Sequence, residues 1–384
     1  MHKSQRPRTG FSFRSILMVL SFFILGVSFA NYMHSLQHAA KIEDDPDMMA
    51  IPVKLDPTNS PPPLVFVGAI TTGDKYISLL EKHVLLDADP QSTNFTGLWT
   101  GPDLFHYDDG SRIPAQARRH CKSLFFAGAS ISPKGMAVEL GSWIGHGSRC
   151  LGAGINTTGL KHRLVSHDSF NDPVNMNKLA GTKYFNLPEA KRDFRFIWED
   201  TAKATYPTAQ AVAGRIEETV DAHKWVTPSI EVLAIDSAKT HDHLLSQGPT
   251  VWKYLAVGSV IALMDFIKTS QVEVFYSQFV ISGALELAFL DFCASPWVFI
   301  VRKPLPWSRV VHFNPRDYSA EKWEKIFETA FSDVDRIASK YRVSEKAARE
   351  DSVQCVKDRL RVRKALVMKA LLGSRAWRLD SSEK

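Results

Sequence analysis

Several sequence features that would announce a function at once are missing from this chain. There is no C-x-x-C pair among its four cysteines, so no zinc ribbon or thioredoxin-type motif can be built from them. There is no G-x-x-x-x-G-K phosphate loop and no G-x-G-x-x-G dinucleotide fingerprint, which removes the two commonest phosphate cradles. No repeat of 20 to 50 residues recurs, which argues against a solenoid or propeller. No nucleic-acid recognition motif accompanies the net charge of +6, so a nucleic-acid partner is not expected.

What is present is globular: 384 residues, 45% hydrophobic and 23% charged, with 20 prolines and 21 glycines. Basic residues gather at the ends. Lys3, Arg6, Arg8 and Arg14 open the chain without an acid, and Lys357, Arg359, Arg361, Arg363, Lys364, Lys369, Arg375 and Arg378 crowd its last helices. That placement suits a solvated face or a lipid headgroup surface.

Residues 15–33, "SILMVLSFFILGVSFANYM", carry no charge and approach the length of a bilayer-spanning helix. Basic residues precede the run, and Glu43, Asp44, Asp45 and Asp47 follow it, which by the positive-inside rule predicts a type II orientation with a lumenal body. A cleaved signal peptide ending at Ala30 is the alternative, with secretion as its outcome. The sequons at Asn94 and Asn156 fit either route. The expected organisation is a basic tail (1–14), a signal-anchor (15–33), a proline-bearing stem (34–63), a catalytic domain with an N-terminal lead-in (64–310) and a basic helical extension (311–384).

Within 64–310 the pattern alternates. The apolar runs "MAVELG", "RLVSHDSF", "IEVLAIDSAK", "GSVIALMDF" and "PWVFIVRK" are separated by amphipathic stretches, whereas "YSQFVISGALELAFLDFC" has helical spacing throughout. Strands alternating with helices predict an α/β fold, a Rossmann-like and mostly parallel sheet with helices on both faces. The third strand is hard to locate; "AVAGRIEETV" reads as the region following it. Ligands in such sheets bind beyond the carboxyl ends of the strands. Those ends carry Glu139, Asp168, Asp236 and Asp265.

The stretch "VELGSWIGHGS" turns at Gly141 and opens a helix near Gly145. It resembles motif I of the class I S-adenosylmethionine-dependent methyltransferases in the form E-hydrophobic-G-x-x-x-G-x-S, with one extra residue, Gly147, before Ser148. That resemblance implies a cofactor site at Glu139, Gly141, Gly145 and Ser148. Asp168, twenty-seven residues after Gly141, has the spacing of an acid that bonds ribose hydroxyls. The order strand, Asp236, helix, Gly258, strand, Asp265 is similar to the cation-dependent O-methyltransferases. It implies Mg2+ held by Asp236 and Asp265, with Lys239 as the base acting on an acceptor hydroxyl. Phe266 departs from that pattern, which has Asn or Asp there. Without a metal, Asp236, His241 or His243 would serve as base.

The activity this implies is methyl transfer to a hydroxyl of a glycan, glycolipid or small metabolite. Two alternatives stay open: a lumenal glycosyltransferase using Asp87 and Asp89 as a D-x-D motif, and an inactive methyltransferase-like binding protein.

Overall fold

The computed structural model describes residues 70–86, 118–170, 194–222, 230–237, 241–268, 271–290, 296–305, 313–341 and 353–380, with a few isolated positions between them. The uncharged run 15–33, the stem, Asn94, Asp87, Asp89 and Lys239 lie outside the described residues. Among the described helices none is long and apolar enough to cross a membrane.

Two helices lead in, α1 (Thr72–Leu86) and α2 (Arg118–Ser130). Strand β1 (Met136–Leu140) is followed by α3 (His146–Asn156), β2 (Leu164–Asp168), α4 (Phe194–Lys203), β3 (Gln210–Ala213) and α5 (Ile216–Ala222). Then come β4 (Ile230–Ile235), α6 (His241–Trp252), β5 (Leu255–Leu263), α7 (Gln271–Phe275) running into a π-helical turn (Tyr276–Val280), β6 (Leu285–Leu290) and β7 (Trp297–Val301). Helices α8 (Ala320–Lys340) and α9 (Val353–Asp380) end the described chain.

The seven strands form one sheet in the order β3-β2-β1-β4-β5-β7-β6. β7 runs antiparallel to both neighbours and the remaining pairs are parallel. The strand order switches between β1 and β4, which places a crevice above the carboxyl ends of those two strands. β4, "IEVLAI", is buried at every position, as a central parallel strand covered on both faces must be.

Two sequence expectations are corrected here. "AVAGRIEETV" contains most of β3 itself as well as α5. The strand is four residues long and only half-buried, too short to give a clear period. "YSQFVISGALELAFLDFC" is helical only in its first part; its second part is β6. Leu285, Leu287, Ala288, Phe289 and Leu290 are all buried, and a register shift between Leu287 and Phe289 breaks the two-residue alternation. A strand apolar on both faces cannot be told from a buried helix by periodicity.

The lead-in is fastened by Glu231, 1% exposed at the start of β4. Its carboxylate accepts hydrogen bonds from Thr72 Oγ1 (2.6 Å), from Ser132 N (2.8 Å) and from Ser132 Oγ (2.5 Å). The C-terminal helices are integral to the same core. Trp323, Phe327, Val334 and Ile337 of α8 are buried, and Arg363 of α9 pairs with Glu273 of α7, itself 1% exposed.

Candidate active site

The crevice begins at the turn after β1. Gly141 and Gly145 sit in left-handed backbone, with φ of 79° and 85°, a conformation glycine adopts without a Cβ penalty. Space forbids a side chain at either position. A Cβ at Gly141 would stand 2.7 Å from Ser237, and one at Gly145 would stand 2.9 Å from the Trp198 ring. The turn therefore lies tight against β4 and α4, with the first turn of α3 opening above the crevice. Backbone N–H groups at such a helix start have no partner within the helix and are available to an anionic group.

Glu139 is 4% exposed beneath this turn. Ser148 Oγ donates to its carboxylate, as does Ser166 Oγ at 3.1 Å, and Trp198 Nε1 donates to Ser148 Oγ at 2.7 Å. Burial pushes the Glu139 carboxyl up to about 8, against the pull of the two serine hydroxyls, with the Asp236 and Asp168 charges adding to the rise. That shift favours the protonated carboxyl at neutral pH.

Asp168 ends β2 with both carboxylate oxygens on backbone amides. Oδ2 accepts from Trp143 N at 2.8 Å, and Oδ1 accepts from Phe170 N at 2.8 Å. Both of those residues are non-glycine and left-handed, with φ of 47° and 51°. Strained backbone of this kind persists only where the surroundings impose it, and here it is concentrated at the strand ends.

Leu124, Trp143, His146, Asp236 and Met264 join Glu139 in lining the pocket between β1 and β4. Asp236 is held at the mouth of β4, where its amide donates to Leu140 O at 2.8 Å. Below, a disulfide between Cys121 of α2 and Cys150 of α3 binds two walls of the pocket together. His146 Nε2 lies 3.8 Å from Cys150 Sγ. Cys355 is disulfide-bonded as well.

Of the residues expected from sequence, Glu139 and Asp236 line the pocket, and Gly141, Gly145 and Asp168 stand at the adjoining strand ends. Ser148 is placed differently from the expectation that it lines the cofactor site. It is fully buried, does not line the pocket, and spends its hydroxyl on Glu139, Ser166 and Trp198. Its role is to hold Glu139. Asp265 is half-buried with φ of 52°, and Phe266 is fully buried. His243 is exposed. Sequence reasoning missed Trp143, His146, Met264 and Leu124. The first two lie inside the glycine stretch and were within reach, whereas Leu124 comes from a lead-in helix whose position only packing determines.

Residues 138–266, about a third of the chain, match the family model described as a methyltransferase domain. No curated protein matches the sequence. Solved structures with some likeness include an O-methyltransferase from Bacillus cereus in complex with SAH. It is 11% identical with a TM-score of 0.36, over 62% of this chain and 94% of that one. Another is the O-methyltransferase TomG from Streptomyces achromogenes in complex with SAM, 12% identical with a TM-score of 0.36, over 62% and 93%. CalS11, a TDP-rhamnose 3'-O-methyltransferase, is 14% identical with a TM-score of 0.35, over 61% and 97%. At these scores the weight rests on the family match and on the strand order. The match spans β1 to β5 of the seven strands, and together they support a class I S-adenosylmethionine-dependent methyltransferase domain.

Proposed function

We propose that the chain transfers the methyl group of S-adenosylmethionine to a hydroxyl oxygen. The observation that carries this reading is the glycine turn over buried Glu139 with Asp168 beside it, inside the segment that matches a methyltransferase domain. A nucleoside and an amino acid need tight turns, an acid for the ribose hydroxyls and free amides for a carboxylate. Among the described residues this crevice offers the tight turn, the acid and a helix start, and no Lys or Arg lines the pocket.

When bound, S-adenosylmethionine would supply the methyl group to the acceptor oxygen. An O–C bond forms, and the S–C bond breaks with its electron pair staying on sulfur, giving neutral S-adenosylhomocysteine. Asp236, in the pocket beside Met264, accepts the hydrogen bond of the attacking hydroxyl and takes its proton. Holding the two reactants in line is the larger contribution, since pre-paid orientation is worth up to about 7–11 kcal/mol of barrier. Lys239 and His241 remain acceptor-side candidates from sequence. Glycans, glycolipids and small hydroxylated metabolites are the acceptor class.

We further place the domain on the lumenal side of a membrane, anchored by residues 15–33. The Cys121–Cys150 disulfide and the exposed sequon residue Asn156 support an oxidising, glycosylating compartment. Thermal-shift and calorimetric titration with S-adenosylhomocysteine and with UDP-sugars tests the reading. Stabilisation by the first alone is expected, and stabilisation by a UDP-sugar alone would favour glycosyl transfer.

A further inference from the structure

The resemblance to cation-dependent enzymes requires Asp236 and Asp265 to face one ion with a third oxygen ligand beside them. β4 and β5 run parallel with Ile235 opposite Leu263, and Met264 N donates to Ile235 O at 2.9 Å. Asp236 and Met264 each follow their paired residue by one position, so a thioether stands level with Asp236, and both line the pocket. Asp265 comes one residue later, in a left-handed turn, and does not line that pocket with Asp236.

The next position is more decisive. Phe266 is fully buried against Trp297 (4.9 Å between ring centroids), Phe299 (5.4 Å) and Phe275 (5.7 Å). The third ligand position has been absorbed into the core between β5 and β7. A hard divalent cation wants six or more oxygens, and neither a thioether nor a phenyl ring supplies one. Among the described residues, the group of three ligating side chains close enough to share an ion is Cys121, His146 and Cys150, and two of those are spent in the disulfide. Among the described residues, therefore, the donor set does not fit the Mg2+ that the resemblance implies.

We propose that this site works without a divalent cation, with the Asp236 carboxylate rather than a metal ion meeting the acceptor hydroxyl and Asp265 serving as the turn that ends β5. The proposal rests on the methyl-transfer reading and deepens it. The pocket lining is mixed, with Leu124, Trp143 and Met264 beside Ser142, His146 and the carboxyl groups of Glu139 and Asp236. Without a cation to chelate, the paired oxygens of a vicinal diol or catechol bring no advantage over an acceptor presenting a single hydroxyl.

The test uses the full-length protein and two readouts that need no acceptor. One is calorimetric affinity for S-adenosylhomocysteine in chelator and in millimolar magnesium. The other is the free Mn2+ signal in electron paramagnetic resonance, with Asp236→Asn and Asp265→Asn as variants. Asn tolerates the left-handed turn at position 265, so that variant folds. Expected are affinities equal within about twofold in the two buffers and an undiminished Mn2+ signal for all three proteins. Saturable Mn2+ binding lost in both variants would overturn the proposal. If S-adenosylhomocysteine binds in neither buffer, the methyl-transfer reading falls, while the Mn2+ signal still decides whether the two carboxylates hold a cation.

Discussion

Glu139 Oε1 lies 2.1 Å from where a Cβ at Gly147 would stand. The extra glycine that interrupts the motif I pattern is therefore the space into which the buried carboxylate is folded. Gly147→Ser would force these groups apart, at a cost of about 1–3 kcal/mol for overpacking at a filled site. Urea denaturation should show that loss, together with weakened affinity for S-adenosylhomocysteine. A Gly147→Ser variant with parental stability and affinity would show that the carboxylate moves aside freely.

The buried carboxyl makes the stability of the protein depend on pH in a definite direction. Its folded value, about 8, stands above its unfolded value of 4.5. Between these the folded state holds a proton that the unfolded state has lost, so this group's contribution is complete below about pH 4.5. It is lost progressively as pH rises to about 8 and is flat above that. Comparing urea unfolding of Glu139→Gln with that of the parent at pH 5 and pH 8 isolates the effect. The parent's stability should fall more between the two than the variant's, and parallel behaviour would remove the proton from Glu139.

The disulfide joining α2 to α3 should matter both to the fold and to the pocket above it. Its cysteines are 29 residues apart, and closing a loop of that length stabilises by about 3–4 kcal/mol on the chain-entropy model. Cys121→Ala with Cys150→Ala should lower unfolding free energy by about that amount and loosen cofactor binding, measured by denaturation and calorimetry. Unchanged affinity in a destabilised variant would make the bridge purely structural.

Much of this architecture is visible in the sequence, for a physical reason. Central parallel strands such as β4 must be apolar along their length, and their carboxyl ends must turn, so "IEVLAID" and "RLVSHDSF" mark both strand and site. What is not visible depends on tertiary packing. β3 is short and half-buried, and β6 is apolar on both faces, so neither shows a two-residue period. Ser148 has the position of a cofactor ligand, but only the packing of Trp198 and Ser166 reveals that its hydroxyl turns inward. Phe266 is legible as a departure, and its destination in the aromatic core is not.

Asp168 carries the most direct test of the central claim, because its carboxylate holds the amides of Trp143 and Phe170 and is the group proposed to meet the ribose hydroxyls. The measurement is isothermal titration of the full-length protein and of Asp168→Ala with S-adenosylhomocysteine, beside a thermal melt showing that the variant is folded. The account predicts one-to-one binding to the parent and a loss of at least about a hundredfold in the variant, equivalent to about 2.7 kcal/mol. Absence of binding to the parent, or equal affinity in a folded variant, would contradict it.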